Sequence, residues 1–358
     1  MESKVKVLVV DDSLISRKYL TRILEESGKI QVIDTAKDGQ EAIEKVKALK
    51  PDVVTLDIEM PKLNGLEALK IIMKECPVPV VMVSSLTTDG ARETLEALRI
   101  GAVDYISKND VLSFKSAAKE ARQLLIEKIL SAKDSRIKGR PLLRRGVHTE
   151  KKEETQIAPA RKKKLEKISG IKVVAIAAST GGPVALEKVF SNLPLLGVPI
   201  MIVQHMPKTF TGVFANSLSK VSKIKVKEAE NGEELKSNQG YLAPGGMQMT
   251  AKKSGARYVV GVSSEPKTIY TPNADIMFKS VAETFGDKAL CVIMTGMGDD
   301  GFRGLQEVKK AGGTIIAQDK DSCVVWGMPR KPTQMGLADF VVPLDEIAST
   351  ISKLVIGR

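Results

Sequence analysis

The sequence predicts two α/β domains in tandem: a doubly wound five-stranded parallel sheet, then a second α/β domain with a mainly parallel sheet and a hairpin addition. Three observations carry that expectation. Strand-like apolar runs alternate with helix-like stretches through residues 1 to about 130; a segment without hydrophobic periodicity follows, and a second alternation resumes near residue 170. With 358 residues, two domains can each bury a core. The expected division is 1–132, a basic linker over 133–169, and 170–358.

In the first domain the strands read VKVLVV, QVIDTA, VVTLD, VVMVSS and DYIS. Helices are expected over Ser13–Ser27, Gly39–Leu49, Gly65–Lys74, Ala91–Ile100 and about Phe114–Ala132. In the second, IKVVAIAASTGGP is an apolar, β-branched run of the kind covered on both faces of a parallel sheet, ending in Ser-Thr-Gly-Gly before a helix at Val184–Phe190. PIMIVQ, ALCVIMT, TIIAQ and ADFVVPL follow as strands, with helices near Thr211–Lys220, Ala274–Phe285 and Gly301–Ala311. YLAPGG, QMTAKK and RYVVGVSS read as antiparallel hairpin material. A short helix at Ala160–Ile168 is compatible with the linker.

Composition narrows the function classes. No apolar stretch approaches the ~18 residues of a membrane span, and the N-terminus enters a strand without a signal-peptide pattern, which points to a cytoplasmic protein without membrane insertion. Cys76, Cys291 and Cys323 lie far apart, unlike a disulfide framework or thiolate metal site. The net charge is +12, but residues 133–170 hold thirteen Lys or Arg against five Asp or Glu, so +8 of the excess sits in one segment. A solvated linker explains that better than a nucleic-acid footprint, because no helix-turn-helix or aromatic-studded sheet accompanies it.

Strand ends carry the candidate chemistry. Asp11 and Asp12 follow the first strand, Asp57 ends the third, Ser84 the fourth, and Lys108 follows the fifth, all on one sheet edge. Clustered carboxylates call for a cation, and oxygen-only ligands suit Mg²⁺. A lysine and a hydroxyl beside them complete a phosphoryl-binding site. VVDDS, TLDIEMPKLNGLEAL, VVMVSSLT and GAVDYISK together resemble a response-regulator receiver domain, flavodoxin-like in fold. The resemblance implies phosphorylation of Asp57 by a histidine kinase, and Mg²⁺ held by Asp11, Asp12, Asp57 and the Glu59 backbone carbonyl. It further implies Ser84 as the switch hydroxyl, Lys108 as a phosphoryl contact and Tyr105 as the rotating aromatic. Asn109 stands where the family usually has proline.

Two histidines occur, and His148 falls in the charged linker. His205 follows PIMIVQ and so shares a strand edge with Ser179. The loop Gly296-Met297-Gly298-Asp299-Asp300-Gly301 follows ALCVIMT at the same edge, supplying an aspartate to orient an imidazole and glycines that let backbone N–H groups approach a reacting carbon. On spacing alone Asp299 and Asp300 compete.

AASTGGP, VQHMP, KEAENGE, YLAPGG, PNADIMF, MTGMGDDG and CVVWGMPR resemble the chemotaxis protein-glutamate methylesterases (CheB), which carry a receiver ahead of this domain. That resemblance implies Ser179 as nucleophile, His205 as general base, Asp300 as orienting acid, the Met297 N–H as oxyanion donor and Thr180 as a further polar contact. Asp299, where relatives carry asparagine, is expected to raise the pKa values of the triad. The implied activity is demethylation of glutamyl methyl esters on methyl-accepting chemotaxis receptors, with deamidation of glutamines by the same acyl chemistry. The esterase step needs no cofactor, and the unphosphorylated receiver is expected to obstruct the site. A basic linker would steer the enzyme toward acidic receptor helices. Two other classes compete: a nucleotide-binding module using Ser-Thr-Gly-Gly, though G-x-G-x-x-G and a P-loop ending are absent, and a DNA-binding regulator.

Overall fold

The computed structural model describes residues 3–84, 87–112, 118–135 and 166–357. The chain falls into two compact units, Met1–Leu142 and Leu143–Arg358. Most of the linker, His148 among it, lies outside the described residues, as does most of the helix expected at Ala160–Ile168; Glu166–Ile168 are not helical.

In the first unit, strands β1 (Val5–Val10), β2 (Ile30–Ala36), β3 (Val53–Asp57), β4 (Val80–Ser84) and β5 (Asp104–Ser107) form a sheet of order β2-β1-β3-β4-β5, with every pairing parallel. β3 and β4 are wholly buried, as continuous apolar runs with helices on both faces must be. The helices begin where side chains can receive their first N–H groups: Ser13 caps Leu14–Glu26, Asp38 caps Gly39–Leu49, and Asn64 with Glu67 forms a capping box on Gly65–Glu75. The last helix is described over Ala118–Lys133, the residues before it as far as 113 lying outside the described ones, and Lys108–Leu112 is a separate short helix opened by Lys108 and Asn109.

The second unit contains β6 (Val173–Ala178), β7 (Ile200–Gln204), β8 (Lys225–Glu228), β9 (Gln239–Leu242), β10 (Gln248–Ser254), β11 (Arg257–Ser263), β12 (Ala289–Ile293), β13 (Thr314–Gln318) and β14 (Phe340–Val342). Seven of these form a parallel sheet in the order β14-β13-β12-β6-β7-β9-β8, while β10 and β11 make the antiparallel hairpin expected from their alternation. The YLAPGG segment departs from expectation. Its Tyr241 and Leu242 belong to β9, which pairs in parallel with both β7 and β8. Residues 229–238 join β8, whose polar KVKE does not read as a buried strand, to β9 without a helix, in a link shorter than the crossover of about a dozen residues that parallel strands usually need. Buried Tyr241 holds this connection, its hydroxyl donating to the Glu234 carbonyl and accepting from the Lys236 N–H. A C-terminal helix, Leu344–Ile356, packs against the helix Gly182–Asn192.

The order of strands places the site. The chain starts in the middle at β6, builds outward through β7, then returns to lay β12 on the other side of β6. Strand order reverses there, and ligands of open α/β sheets collect outside the carboxyl ends of the strands at such a switch point.

Candidate active site and phosphoacceptor site

In the first unit, carboxylate oxygens of Asp11, Asp12 and Asp57 lie within 4.8 Å of one another. Lys108 Nζ reaches across them, 2.5 Å from Asp57 Oδ2 and 2.7 Å from Asp11 Oδ2. The Arg17 guanidinium, which the sequence did not single out, donates to the backbone carbonyls of Asp11 (2.6 Å) and Asp12 (2.9 Å) and fixes the acidic turn. Burial pushes the Asp57 carboxyl up to about 6, the Lys108 ammonium opposing that rise and the Asp11 charge adding to it. Burial works against the charge on Lys108, but its hydrogen bonds to Asp11 and Asp57 carry its pKa above the ordinary lysine value. An all-oxygen set with one lysine fits a small hard dication and a phosphoryl group. Gly65 is required beside it, since a Cβ there would lie 2.0 Å from the Asp57 carbonyl oxygen. Ser84 is buried at the end of β4. Tyr105 is turned inward and buried, with Lys128 Nζ 5.1 Å from its ring centroid and bonded to its carbonyl oxygen at 2.7 Å. Glu59 is exposed on the loop after Asp57.

In the second unit, β6 and β7 pair with Ala178 opposite Gln204, so Ser179 and His205 are the next residues off two adjacent strand ends. The His205 N–H donates to the Ala178 carbonyl at 3.2 Å, and the Ser179 N–H to the Thr295 carbonyl at 3.0 Å. Three neighbouring strands thus present Ser179, His205 and the Gly296–Gly301 loop at one edge.

His205 Nε2 lies 2.7 Å from Asp300 Oδ2. Asp300 is buried and also accepts the N–H groups of Ala274 (2.7 Å), Asp275 (3.1 Å) and Gly301 (2.9 Å), the first two at the N-terminus of the helix Ala274–Phe285. Burial works against its charge, but the hydrogen bond from His205 and those from the helix N-terminus hold its pKa below the ordinary aspartate value. An ionised carboxylate only accepts, so Nε2 carries the proton and Nδ1 keeps its lone pair. Nδ1 is buried and has no hydrogen-bond partner among the described residues.

Asp300, not Asp299, therefore meets the imidazole. Asp299 is exposed and pairs with Lys331. The expected rise in the triad's pKa values does not occur at Asp300: Lys331 compensates the charge of Asp299, and Asp300 is shifted down.

Backbone geometry beside Ser179 is tightly set. A Cβ on Gly296 would lie 2.8 Å from Ser179 Cβ and 2.3 Å from Met328 Sδ, and one on Gly182 would lie 2.1 Å from Gln204 Oε1. The Gly296 carbonyl accepts from Gly327 N–H (3.0 Å) and Met328 N–H (2.9 Å). Peptide units are planar, so the next N–H, that of buried Met297, points the opposite way. It donates to no group among the described residues. Thr180 is buried one residue past Ser179.

Two neighbours were missed from sequence. Tyr270 stacks on the His205 ring, centroids 4.6 Å apart and planes 4° from parallel; it lies far away in the chain on an irregular loop that no periodicity marks. Buried Gln204 donates from Nε2 to the carbonyls of Ser179 (3.0 Å) and His205 (3.2 Å), bridging the two strand ends. An amide closing an otherwise apolar strand, PIMIVQ, was the signal available.

Comparison with known proteins places both units in families. Residues 174–351 match the CheB methylesterase family and residues 7–113 the response regulator receiver domain. A "Protein-glutamate methylesterase/protein-glutamine glutaminase" of Lawsonia intracellularis is 45% identical over 97% of this chain and 98% of its own length. A protein of the same name from Pyrococcus horikoshii is 43% identical over 99% of this chain and 95% of its own. The crystal structure of the Thermotoga maritima CheB methylesterase catalytic domain matches with a TM-score of 0.50 at 40% identity, covering 52% of this chain and 99% of that one. With both units matched and 45% identity to a relative over nearly the full length, the chain belongs to the CheB methylesterase family, with a response regulator receiver domain preceding the catalytic domain.

Proposed function

We propose that this chain is a phosphorylation-activated serine hydrolase that removes methyl groups from glutamyl methyl esters of methyl-accepting chemotaxis receptors and deamidates receptor glutamines. The observation that carries the reading is the His205–Asp300 contact, which leaves Nδ1 as the free base at the strand edge that presents Ser179. Ser179 Oγ attacks the ester carbon, its proton passing to Nδ1 while the carbonyl π pair moves onto oxygen. The N–H of Met297, with Thr180 nearby, meets that charge. Collapse expels the methoxy group, which takes the proton from His205 and leaves as methanol. Water then attacks the acyl-enzyme through the same base, returning glutamate and Ser179. With a glutamine the leaving group is ammonia. Asp300 and the stacked Tyr270 keep the imidazole in plane.

In the receiver, Asp57 accepts phosphate from a chemotaxis histidine kinase. Mg²⁺, when bound by Asp11, Asp12, Asp57 and the Glu59 carbonyl, supplies charge neutralisation; Lys108 holds a phosphoryl oxygen, and Ser84 and Tyr105 relay the change. Functionally the chain divides into 1–132, 133–169 and 170–358. Among the described residues no helix is long and apolar enough to cross a membrane; we assign the protein to the cytoplasm on its substrate surface and kinase.

The test is methanol release from methyl-labelled receptor, with and without a small-molecule phosphodonor and Mg²⁺. Ser179→Ala is expected to remove activity by at least about 10⁴-fold, and Asp57→Asn to leave basal activity while removing stimulation by the phosphodonor. Undiminished activity in Ser179→Ala would overturn the reading.

A further inference from the structure

Ser179 is held from one residue just past the neighbouring strand β12. Thr295, buried at the start of the loop that carries Met297 and Asp300, touches the nucleophile turn twice. Its carbonyl accepts the Ser179 N–H at 3.0 Å, and its hydroxyl oxygen lies 3.0 Å from the Thr180 carbonyl oxygen. The same hydroxyl accepts from the Val325 N–H at 3.1 Å, with the Val325 carbonyl farther off at 3.3 Å. Thr295 is itself fixed, its N–H donating to Gln318 Oε1 at 2.8 Å, and Gln318 is fully buried.

These bonds have an orientational effect. The Ser179 carbonyl is pinned by Gln204 Nε2 and by the Gly182 N–H (2.7 Å), and the Thr180 carbonyl by Thr295. In a planar trans peptide the following N–H is opposed to the carbonyl, so pinning two successive carbonyls aims two successive N–H groups. Gly181 has φ +74° and sits against Val324, where a Cβ would lie 2.6 Å from Val324 Cβ, so this peptide has little room to flip. The Gly296 carbonyl is pinned in the same manner on the facing loop.

We propose that Thr295 is a positioning residue: it holds the Ser179–Gly181 turn and the Gly296–Met297 loop in one register, so that the oxygen developing negative charge is met by N–H groups from both. The proposal rests on the esterase reading above. It assigns Thr295 no contact with substrate; it acts through the peptide planes that it fixes. Donors of this kind contribute most when they are fixed before charge develops.

The experiment uses the full chain with phosphodonor and Mg²⁺, and methyl-labelled receptor as substrate. Thr295→Val keeps the shape and removes the hydroxyl. Its kcat is expected to fall about 10- to 100-fold, no more than the roughly 10²- to 10³-fold lost when an oxyanion donor is removed outright, with KM within about twofold. A phenylboronic acid, whose adduct with a serine hydroxyl places an oxygen where the oxyanion forms, should weaken by the same factor, since such analogues follow transition-state binding. Thr295→Ser should recover most of both losses. Unchanged kcat in Thr295→Val, or a loss of kcat with undiminished boronate affinity, would overturn the proposal. Should Thr295→Val not fold, Thr295→Ala replaces it; if neither hydroxyl-free variant folds, the residue is structural and the proposal fails. Ser179→Ala run in parallel separates the readings: activity surviving there removes the esterase assignment, whereas its loss beside an unaffected Thr295→Val removes only the role of Thr295.

Discussion

Asp300→Asn is expected to lower kcat about 10⁴-fold with little change in KM, and adding it to Ser179→Ala should cost nothing further. The carboxylate accepts a hydrogen bond from Nε2–H at 2.7 Å and three more from backbone N–H groups. Asparagine keeps the shape but brings an NH₂ group that can donate to Nε2 while its oxygen stays on the helix N-terminus. The imidazole then carries its proton on Nδ1 and ceases to be a base toward serine, the tautomer error that costs about 10⁴ in serine proteases. Groups that act as one unit are not additive, so the double variant should match the single serine variant. Single-turnover methanol release across the four proteins reads this directly; a double variant markedly slower than Ser179→Ala would show that Asp300 acts outside the triad.

The second large effect lies in the receiver and concerns stability. Burial raises the Asp57 carboxyl from 3.8 to about 6. A carboxyl whose folded pKa lies above its unfolded value opposes folding at every pH where the unfolded chain would ionise it. Below about pH 3.8 it is protonated in both states and the penalty is absent; it grows from there to about pH 6 and is complete above. A shift of this size corresponds to on the order of 3 kcal/mol. Lys108 loses one of its two carboxylate partners on substitution, which returns part of the gain. Asp57→Asn in EDTA is therefore expected to stabilise the receiver transition by on the order of 2 kcal/mol at pH 8, with the difference vanishing toward pH 4. Calorimetry of the full chain at both pH values checks it. Equal stabilisation at both would show that ionisation of Asp57 is not the cause.

How much of this was legible in the sequence depended on the range of the interaction. Residues at strand ends were legible, because a β-branched run followed by Ser179, His205 or Asp57 fixes both the element and the edge. The parallel α/β character of both sheets followed from alternation, whereas their strand orders came only with the structure. The β8–β9 connection was not legible, since the KVKE of β8 carries no apolar run to mark a strand and the link to β9 is shorter than parallel strands usually need. Asp299 and Asp300 could not be separated by spacing: the choice is made by the helix N-terminus at Ala274 and by Lys331, both remote in sequence. Tyr270 and Thr295 were invisible for the same reason. One lies on an irregular loop and the other looked like the tail of an apolar strand.

The imidazole of His205 is mounted end for end relative to the chymotrypsin arrangement, with the nitrogen farther from its own backbone given to the aspartate. The working nitrogen, Nδ1, is bonded directly to the ring carbon that joins the side chain. A given torsional swing carries it through a smaller arc than it would carry Nε2. The base thus works on a short lever arm, with its far tip anchored by Asp300 and its root tied to Ala178 through the backbone. Alignment with the serine is consequently governed less by side-chain libration than by how well β6 and β7 keep their register. Gln204, spanning those two strand ends, holds that register where the chemistry is done.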